Sequence, residues 1–377
     1  MDNTLNQIIS AMQKLHGFNN VKQIDGAGQS YAFFAFDELL KRDTFLKVYW
    51  YSEDYKDSLL LEPRNLSSLY QSSEQAKHHI VNLYTADKVK VGEDDYIILK
   101  MEYCQGQSLL DKIGEHGLSI YDAIDITKQI CEGIHYLHSV KIAHRDIKPG
   151  NVMINGNNCK IIDLGSAIKL DDNDFSARIN SVKTLYYAPY EVFPPKRMCY
   201  LSSDLYQIGV VFYEMINGKF KLPIEIKRAA LRKCEKTFNK KQNDFDGYEN
   251  TVLQEENIKY LSERGELMSE LSPTQHYLPK ELKKILKKAT HWEMSGRYKS
   301  CIEFRAELSK LNIPNWKREN ANEWSVKQWK NKDFKIEINS NKKAKVTMHS
   351  SITGKNNFRR VSEINDLTQA FEYINGM

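Results

Sequence analysis

The segment His144-Arg145-Asp146-Ile147-Lys148-Pro149-Gly150-Asn151 places a carboxylate, cationic side chains and a carboxamide within eight residues. Its Pro-Gly pair interrupts regular secondary structure, so the segment is predicted to form a loop. A short predicted strand, Lys160-Ile161-Ile162, then ends at Asp163-Leu164-Gly165. A polar loop followed by a strand that delivers a second carboxylate is suited to phosphoryl transfer, because that chemistry depends on charge and position more than on covalent participation.

Four side chains of this region are candidate catalytic residues. Asp146 is expected to accept the proton of a substrate hydroxyl, and Lys148 to neutralise the transferring phosphoryl group. Asn151 and Asp163 are expected to hold Mg²⁺, because amide and carboxylate oxygens suit this ion. The last two residues are therefore candidate metal ligands as well.

The pattern His-Arg-Asp-x-Lys-Pro-x-Asn, followed twelve residues later by Asp-Leu-Gly, resembles the catalytic loop and the magnesium loop of protein kinases. Lys148, two residues after Asp146, resembles the Ser/Thr-specific branch. The resemblance covers about residues 20–312 and extends to bacterial-type kinases. It implies an α+β, two-lobed fold with a small β-rich N-lobe and a larger helical C-lobe. It also implies ATP and Mg²⁺ as cofactors and a protein as substrate.

The resemblance assigns the nucleotide phosphates to the N-lobe. Gly26 and Gly28 lie in a strand–turn–strand pattern, where glycines let backbone N–H groups approach phosphates closely. Lys47 resembles the lysine that binds the α and β phosphates. Glu62, fifteen residues later, is expected to lie on a helix and to pair with Lys47.

The predicted strand Tyr96–Cys104 leads into the connection between the lobes. By resemblance, Met101 lies at the back of the adenine pocket, and the backbone groups of Glu102 and Cys104 bind the adenine edge. Gly106 then allows the chain to turn into the second lobe.

Three bulky residues depart from the family pattern around the nucleotide. Tyr31 occupies the place of a third glycine, Phe33 that of the usual valine over adenine, and Phe45 that of a small alanine. These rings are expected to alter the shape of the pocket, and with it nucleotide preference or turnover.

The polar stretch 166–183 resembles an activation segment. Arg145 precedes the catalytic aspartate, and in kinases with this arginine a phosphate on the segment often pairs with it. Candidate phosphorylation sites are Ser176, Ser181 and Thr184. For Thr184 a structural role, bonding near Asp146 and Lys148, is favoured.

Three further residues are expected to support the C-lobe. Glu191 follows Thr184 by seven residues and is predicted to form a salt bridge with Arg297, although the Ala-Pro-Glu pattern is shifted here to Ala-Pro-Tyr-Glu. Asp204 is predicted to begin the central helix and to cap the catalytic-loop backbone.

The chain divides into four predicted parts. They are an N-terminal amphipathic helix within residues 1–19, the N-lobe at 20–103, the C-lobe at 104–312 with a helical insertion at about 219–280, and a basic α+β module at 315–377. The insertion carries a basic helix that is either a docking surface or a solvated face.

The C-terminal module is predicted to contain three strands and a helix. Its lysines are interleaved with Trp316, Trp324, Trp329 and Phe334, a composition that suits nucleic acid or an acidic partner. The alternative is a small packed appendage with a lysine-coated surface. The module is expected to be dispensable for the chemistry but not for the choice of substrate.

Bulk properties restrict the class of protein. The net charge of +5 is modest, and the six cysteines are scattered without a Cys-x-x-Cys pair, which favours free thiols in a reducing compartment. The N-terminus lacks a signal-peptide pattern, and no apolar run reaches the length of a membrane span. The prediction is a cytoplasmic protein without a membrane partner.

Two alternatives to an active protein kinase remain open at this stage. A pseudokinase that senses nucleotide or acts as a scaffold is favoured by Tyr31, Phe33 and Phe45. A small-molecule kinase of related fold is disfavoured by Lys148 and by the pattern from Thr184 to Glu191, which together resemble a peptide platform.

Overall fold

A computed structural model describes most of the chain. The described residues are 3–24, 30–72, 78–173, 176–179, 184–272, 275–339, 345–361, 364 and 366–377. They form two lobes and a C-terminal module. The predicted α+β, two-lobed architecture is confirmed.

The N-lobe consists of one sheet and three helices. Its elements are α1 (Asn3–His16), β1 (Phe18–Ile24), β2 (Ser30–Asp37), β3 (Arg42–Tyr51), α2 (Lys56–Leu59), α3 (Leu61–Ser72), β4 (Leu83–Val91) and β5 (Asp94–Glu102). The strands are antiparallel in the order β1-β2-β3-β5-β4.

Helix α1 covers one face of this sheet. Leu5, Ile8 and Met12 recur at helical spacing and are buried against Leu46 and Val48 of β3. The predicted amphipathic helix is therefore present, and its apolar face is used in packing within the lobe.

The C-lobe is mainly helical. Its elements are β6 (Gln107–Ser108), α4 (Leu109–Ile113), α5 (Ile120–Ser139), β7 (Ile142–Ala143), β8 (Val152–Asn155), β9 (Asn158–Ile161), β10 (Ile168–Lys169), β11 (Ser176–Arg178), β12 (Met198–Tyr200), α6 (Leu201–Asn217), α7 (Arg228–Phe238), α8 (Gly247–Glu263), α9 (Leu267–Leu271), α10 (Lys280–Ala289) and α11 (Cys301–Ser309).

Two helices form the centre of this lobe. Helix α5 begins where the Ser119 side chain accepts a hydrogen bond from Asp122 N, and its apolar residues face α6 and α11. Helix α6 is buried along almost its whole length, as expected for a helix that is apolar on all sides. The catalytic loop lies between β7 and β8, above these two helices.

The insertion at 219–280 contains α7, α8 and α9, which agrees with the predicted helical character. Four of its basic side chains, Lys227, Lys233, Lys240 and Lys241, pair with carboxylates within the insertion. Lys227 pairs with Glu270 at 2.9 Å, and Lys240 pairs with Glu249 at 2.8 Å. This arrangement favours the solvated-face interpretation of the basic helix.

The C-terminal module contains more strands than predicted. Five strands and one helix are present: β13 (Trp316–Asn320), β14 (Glu323–Trp329), β15 (Lys332–Asn339), β16 (Lys345–Ile352), β17 (Arg359–Arg360) and α12 (Leu367–Asn375). The prediction of three strands was wrong because charged residues mask the alternation in the first two. In β14, for example, Trp324 and Val326 point inward while Ser325 and Lys327 do not.

The module is packed onto the C-lobe. Trp316 lies 5.6 Å from Tyr277 and 5.4 Å from Phe371 between ring centroids, in one continuous apolar core. Asn375 Nδ2 also donates to Tyr277 O at 2.9 Å. The four interleaved aromatic residues are at most 8% exposed, so they are not accessible for stacking on nucleic-acid bases.

The structure also describes the cysteines and the length and polarity of the helices. The six cysteines are free thiols. Across the described residues, every helix is too short or too polar to cross a membrane.

Candidate active site

A cavity of about 480 Å³ lies between the two lobes and is lined by seven of the eleven predicted catalytic and nucleotide-binding residues. This volume is within the usual range for small-molecule sites. Lys47, Glu62 and Met101 line it from the N-lobe, while Asn151 and Asp163 line it from the C-lobe.

Asp146 is buried beside Asn151 of the cavity lining, and its carboxylate accepts hydrogen bonds from three donors. Thr184 Oγ1 donates to its Oδ1 at 2.5 Å, while Lys148 Nζ and Asn151 Nδ2 donate to its Oδ2 at 2.8 and 3.1 Å. Lys148 Nζ also donates to Thr184 Oγ1 at 3.0 Å. The structure therefore brings together the residues assigned to the base, the phosphoryl contact and Thr184.

Helix α6 fixes the backbone of the catalytic loop. Asp204 accepts hydrogen bonds from His144 N at 2.8 Å and from Arg145 N at 2.9 Å. Arg145 has a φ of +69°, which is uncommon for a residue with a side chain and requires such support. Gln207, which the sequence analysis missed, accepts from Ile147 N at 3.0 Å.

A lysine and two carboxylates form the upper part of the site. Lys47 Nζ lies 2.9 Å from Glu62 Oε2 and 2.8 Å from Asp163 Oδ1. Burial acts to lower the pKa of Lys47, but Glu62, Tyr49 and Asp163 outweigh it, so the pKa is well above its ordinary value. Burial likewise opposes ionisation of Asp163, yet Lys47 holds its pKa below the usual range. Both groups are therefore charged at neutral pH.

Tyr49 is a member of this site that sequence reasoning missed. Its hydroxyl donates to Glu62 Oε2 at 2.6 Å, while Leu164 N donates to Glu62 Oε1 at 3.2 Å. A signal was present, because residues i and i+2 of a strand share a face and Tyr49 follows Lys47 by two. Both oxygens of Glu62 are thereby engaged.

The residues present fit a magnesium ion bound together with phosphates. The Asn151 amide nitrogen donates to Asp146 O at 2.9 Å, which orients its side-chain oxygen as the remaining ligand atom. The Asp163 side chain is 42% exposed to the cleft, and one of its oxygens is bound to Lys47. Among the described residues, no cluster of three or more His, Cys, Asp or Glu side chains could hold a metal alone. Two oxygen donors plus substrate phosphates is the usual arrangement for Mg²⁺.

The part of the cavity lined by β2 and β3 corrects one prediction. Phe33 does not lie over the nucleotide position, because it is fully buried in the core beneath α1. Ala32, which pairs with Lys47 across β2 and β3, lines the cavity instead. Neighbouring residues of a strand point to opposite faces of the sheet, so an error of one residue places a side chain on the wrong face. Phe45 does line the cavity, as the departure from the family pattern implied.

The segment that connects the two lobes lines the cavity. Met101, Glu102 and Cys104 all line the cavity. Glu102 N donates to Asn82 O at 2.8 Å, so this amide is already committed. Gly106 has a φ of +113°, and a Cβ atom there would collide with Ile154 O, so the turn into the C-lobe requires glycine.

Four of the predicted site residues cannot be assigned to the cavity. Gly26, Gly28 and Ser181 lie outside the described residues. Ser176 is buried in β11, where it pairs with Tyr200 of β12. In this conformation Ser176 is not accessible for phosphorylation.

The ion pair between Glu191 and Arg297 is bidentate and buried. Arg297 Nη1 and Nη2 lie 2.8 and 2.9 Å from the two carboxylate oxygens, and the side chains are 2% exposed or less. Ser203 Oγ donates to Glu191 at 2.7 Å. The pair joins the end of the activation segment to the segment before α11.

A β-rich lobe and a helical lobe enclose Lys47, Glu62, Asn151 and Asp163 in one cleft. This arrangement defines the protein kinase fold. Comparison with family models matches residues 56–305, more than half of the chain, to the protein kinase domain. The chain belongs to the protein kinase family. The matched range begins after Lys47, so the position of Lys47 rests on the geometry described above.

Curated relatives include bacterial and animal kinases. The chain is 24% identical over 291 residues to the serine/threonine-protein kinase PrkC of Bacillus subtilis, covering 76% of this chain and 39% of that protein. It is 29% identical over 201 residues to a probable serine/threonine-protein kinase of Clostridium acetobutylicum, covering 52% and 29%. It is 32% identical over 145 residues to myosin light chain kinase 3 of Danio rerio, covering 37% and 19%. The chain thus spans less than two fifths of these relatives.

Proposed function

We propose that this chain transfers the γ-phosphate of ATP to serine or threonine hydroxyls of a protein substrate. The observation that carries the proposal is the cluster around Asp146, in which Lys148, Asn151 and Thr184 hold the carboxylate beside the cavity that Asn151 lines. A carboxylate fixed in this way is positioned to accept a hydroxyl proton. The Lys148–Thr184 contact supports serine/threonine specificity, by resemblance to that branch of the family.

The remaining residues are assigned to nucleotide binding. Lys47 is assigned to the α and β phosphates, and Glu62 keeps Lys47 in place. Asn151 and Asp163 are assigned to Mg²⁺, which when bound supplies charge neutralisation for the phosphates. The carbonyl of Glu102 and the peptide groups of Cys104 are assigned to the adenine edge, since the Glu102 amide is already bound to Asn82.

Autophosphorylation belongs to the proposal only with a rearrangement of the segment. The Thr184 hydroxyl is engaged with Asp146 and Lys148, and Ser176 is buried. Modification of either residue therefore requires the activation segment to leave this conformation. Ser181 stays a prediction from the sequence.

The test is intact-mass spectrometry of the purified chain and of an added Ser/Thr peptide library, with ATP and Mg²⁺. Asp146→Asn should reduce phosphate transfer by about two to four decades, the usual contribution of a general base. Asp125→Asn, an exposed carboxylate on α5, is the matched control and should be fully active. Transfer that is unaffected in Asp146→Asn would overturn the role of Asp146.

A thermal-shift assay with ATP and Mg²⁺ separates the pseudokinase alternative, which Phe45 in the cavity lining still favours. Absence of any stabilisation by ATP and Mg²⁺ would overturn the enzyme assignment and favour the pseudokinase. Phosphate transferred to a sugar or antibiotic but to no peptide would identify a small-molecule kinase instead.

A further inference from the structure

A second cavity lies in the C-lobe, away from the cleft between the lobes. Its volume is about 550 Å³, and its walls are formed by α6, the end of α8, α9, and α10 with the residues that follow it. It shares no lining residue with the cleft. The site described above makes no use of it.

The lining of this cavity has an unbalanced positive charge. Arg264, Lys283 and Lys287 line it, whereas none of the described lining residues is Asp or Glu. Arg264 and Lys283 donate only to backbone carbonyls, at 3.4 and 3.2 Å. By contrast, Lys288 on the same helix pairs with Glu303 at 2.7 Å.

The other side of the cavity is apolar. Trp292 and Met268 are half-buried and line it, whereas the rings of Tyr206 and Tyr213 are only 2% and 4% exposed and lie behind this surface. The buried hydroxyl of Ser262 interacts with the Tyr206 hydroxyl.

We propose that this cavity binds a small organic phosphate that carries a flat apolar group. The cationic side chains would bind the phosphate through charge-assisted hydrogen bonds, and Trp292 with Met268 would contact the apolar part. The volume is within the range of sites that enclose small molecules. An inorganic ion would use only the cationic side chains, so the apolar surface of Trp292 and Met268 is what favours an organic ligand.

Calorimetric titration of the full chain tests the proposal with phenyl phosphate as the probe. Phenyl phosphate should bind at least about tenfold more tightly than either inorganic phosphate or benzyl alcohol, a difference of about 1.4 kcal/mol. Equal affinity for phenyl phosphate and inorganic phosphate would mean an adventitious ion only and would overturn the proposal.

Three charge-reversal variants locate the binding on the molecule. Lys283→Glu and Lys287→Glu should each weaken phenyl phosphate binding at least about tenfold. Lys284→Glu is the matched control, because Lys284 is an exposed lysine of α10 that does not line the cavity. Equal weakening in all three variants, or in none, would contradict the assigned site. Kinase activity is not used as a readout, so failure here is distinct from failure of the proposed function.

Discussion

The Tyr49 hydroxyl and the Lys47 ammonium group donate to the same carboxylate oxygen, Glu62 Oε2, at 2.6 and 2.9 Å. Burial, followed by the charge of Glu62, raises the pKa of Tyr49 well above its ordinary value, so the phenol stays protonated and remains a donor. Two donors from β3 therefore hold α3 against the sheet. This arrangement fixes the position of Lys47 in the site.

Tyr49→Phe is expected to lower kcat/KM for peptide phosphorylation by about tenfold. A hydrogen bond to a charged group is worth about 1.5–3 kcal/mol, and about 1.4 kcal/mol corresponds to a factor of ten. Steady-state kinetics with varied ATP provide the measurement. Tyr51→Phe is the control, because its hydroxyl binds Glu53 at the exposed end of the same strand. An effect no larger than that of Tyr51→Phe would refute the positioning role.

Arg297→Met is expected to destabilise the chain by about 3–5 kcal/mol, because it leaves the Glu191 carboxylate buried without its partner. Urea denaturation measures the loss. Lys310→Met, which removes an exposed pair with Glu307, should change stability by less than about 1 kcal/mol. The double variant Glu191→Gln with Arg297→Met should recover part of the loss. If it recovers none, the cost does not come from an unpaired charge.

Trp316→Ala is expected to destabilise the C-lobe together with the module, at a cost of about 3–5 kcal/mol for a buried aromatic residue. The reason is that Trp316 contacts both Tyr277 of the C-lobe and Phe371 of α12. A chain that ends at residue 314 should accordingly melt at a lower temperature than the full chain. An unchanged melting temperature would show that the module does not stabilise the C-lobe.

The Cys104 thiol is expected to react slowly with iodoacetamide despite its position in the cleft. Burial and the nearby Glu102 charge raise the pKa of Cys104 to about 12, so the neutral thiol persists as the pH rises. Since the thiolate is the nucleophile, labelling at pH 8 should be at least about a hundredfold slower than for a free cysteine. The rate should rise about tenfold per pH unit up to pH 9.5, as followed by peptide mass spectrometry. Rapid labelling at pH 8 would contradict the raised pKa.

The local motifs of this chain were predictable because their residues are close in sequence. Asp146, Lys148 and Asn151 occupy one loop, and Asp163 follows after a short strand. Their spacing alone indicates phosphoryl transfer. The fold class followed through the resemblance that these motifs carry.

Contacts that depend on the register of a strand were less predictable. A pattern of alternating residues indicates a strand but not its pairing, so Phe33 was placed over the nucleotide where Ala32 lies. The same limitation hid the contact between Tyr49 and Glu62. The aromatic residues of the module were ambiguous for a related reason, because composition does not distinguish a buried tryptophan from an exposed one.

By itself, the sequence determined the family, the lobes and the residues of the catalytic loop, since each depends on short-range spacing and residue chemistry. Only the tertiary structure decided which distant side chains meet. It joined Tyr49 to Glu62, packed Trp316 on Tyr277 and gathered Arg264, Lys283 and Lys287 around one cavity. These contacts arise from the packing of elements far apart in the chain, and no local pattern of residues encodes which faces will pack together.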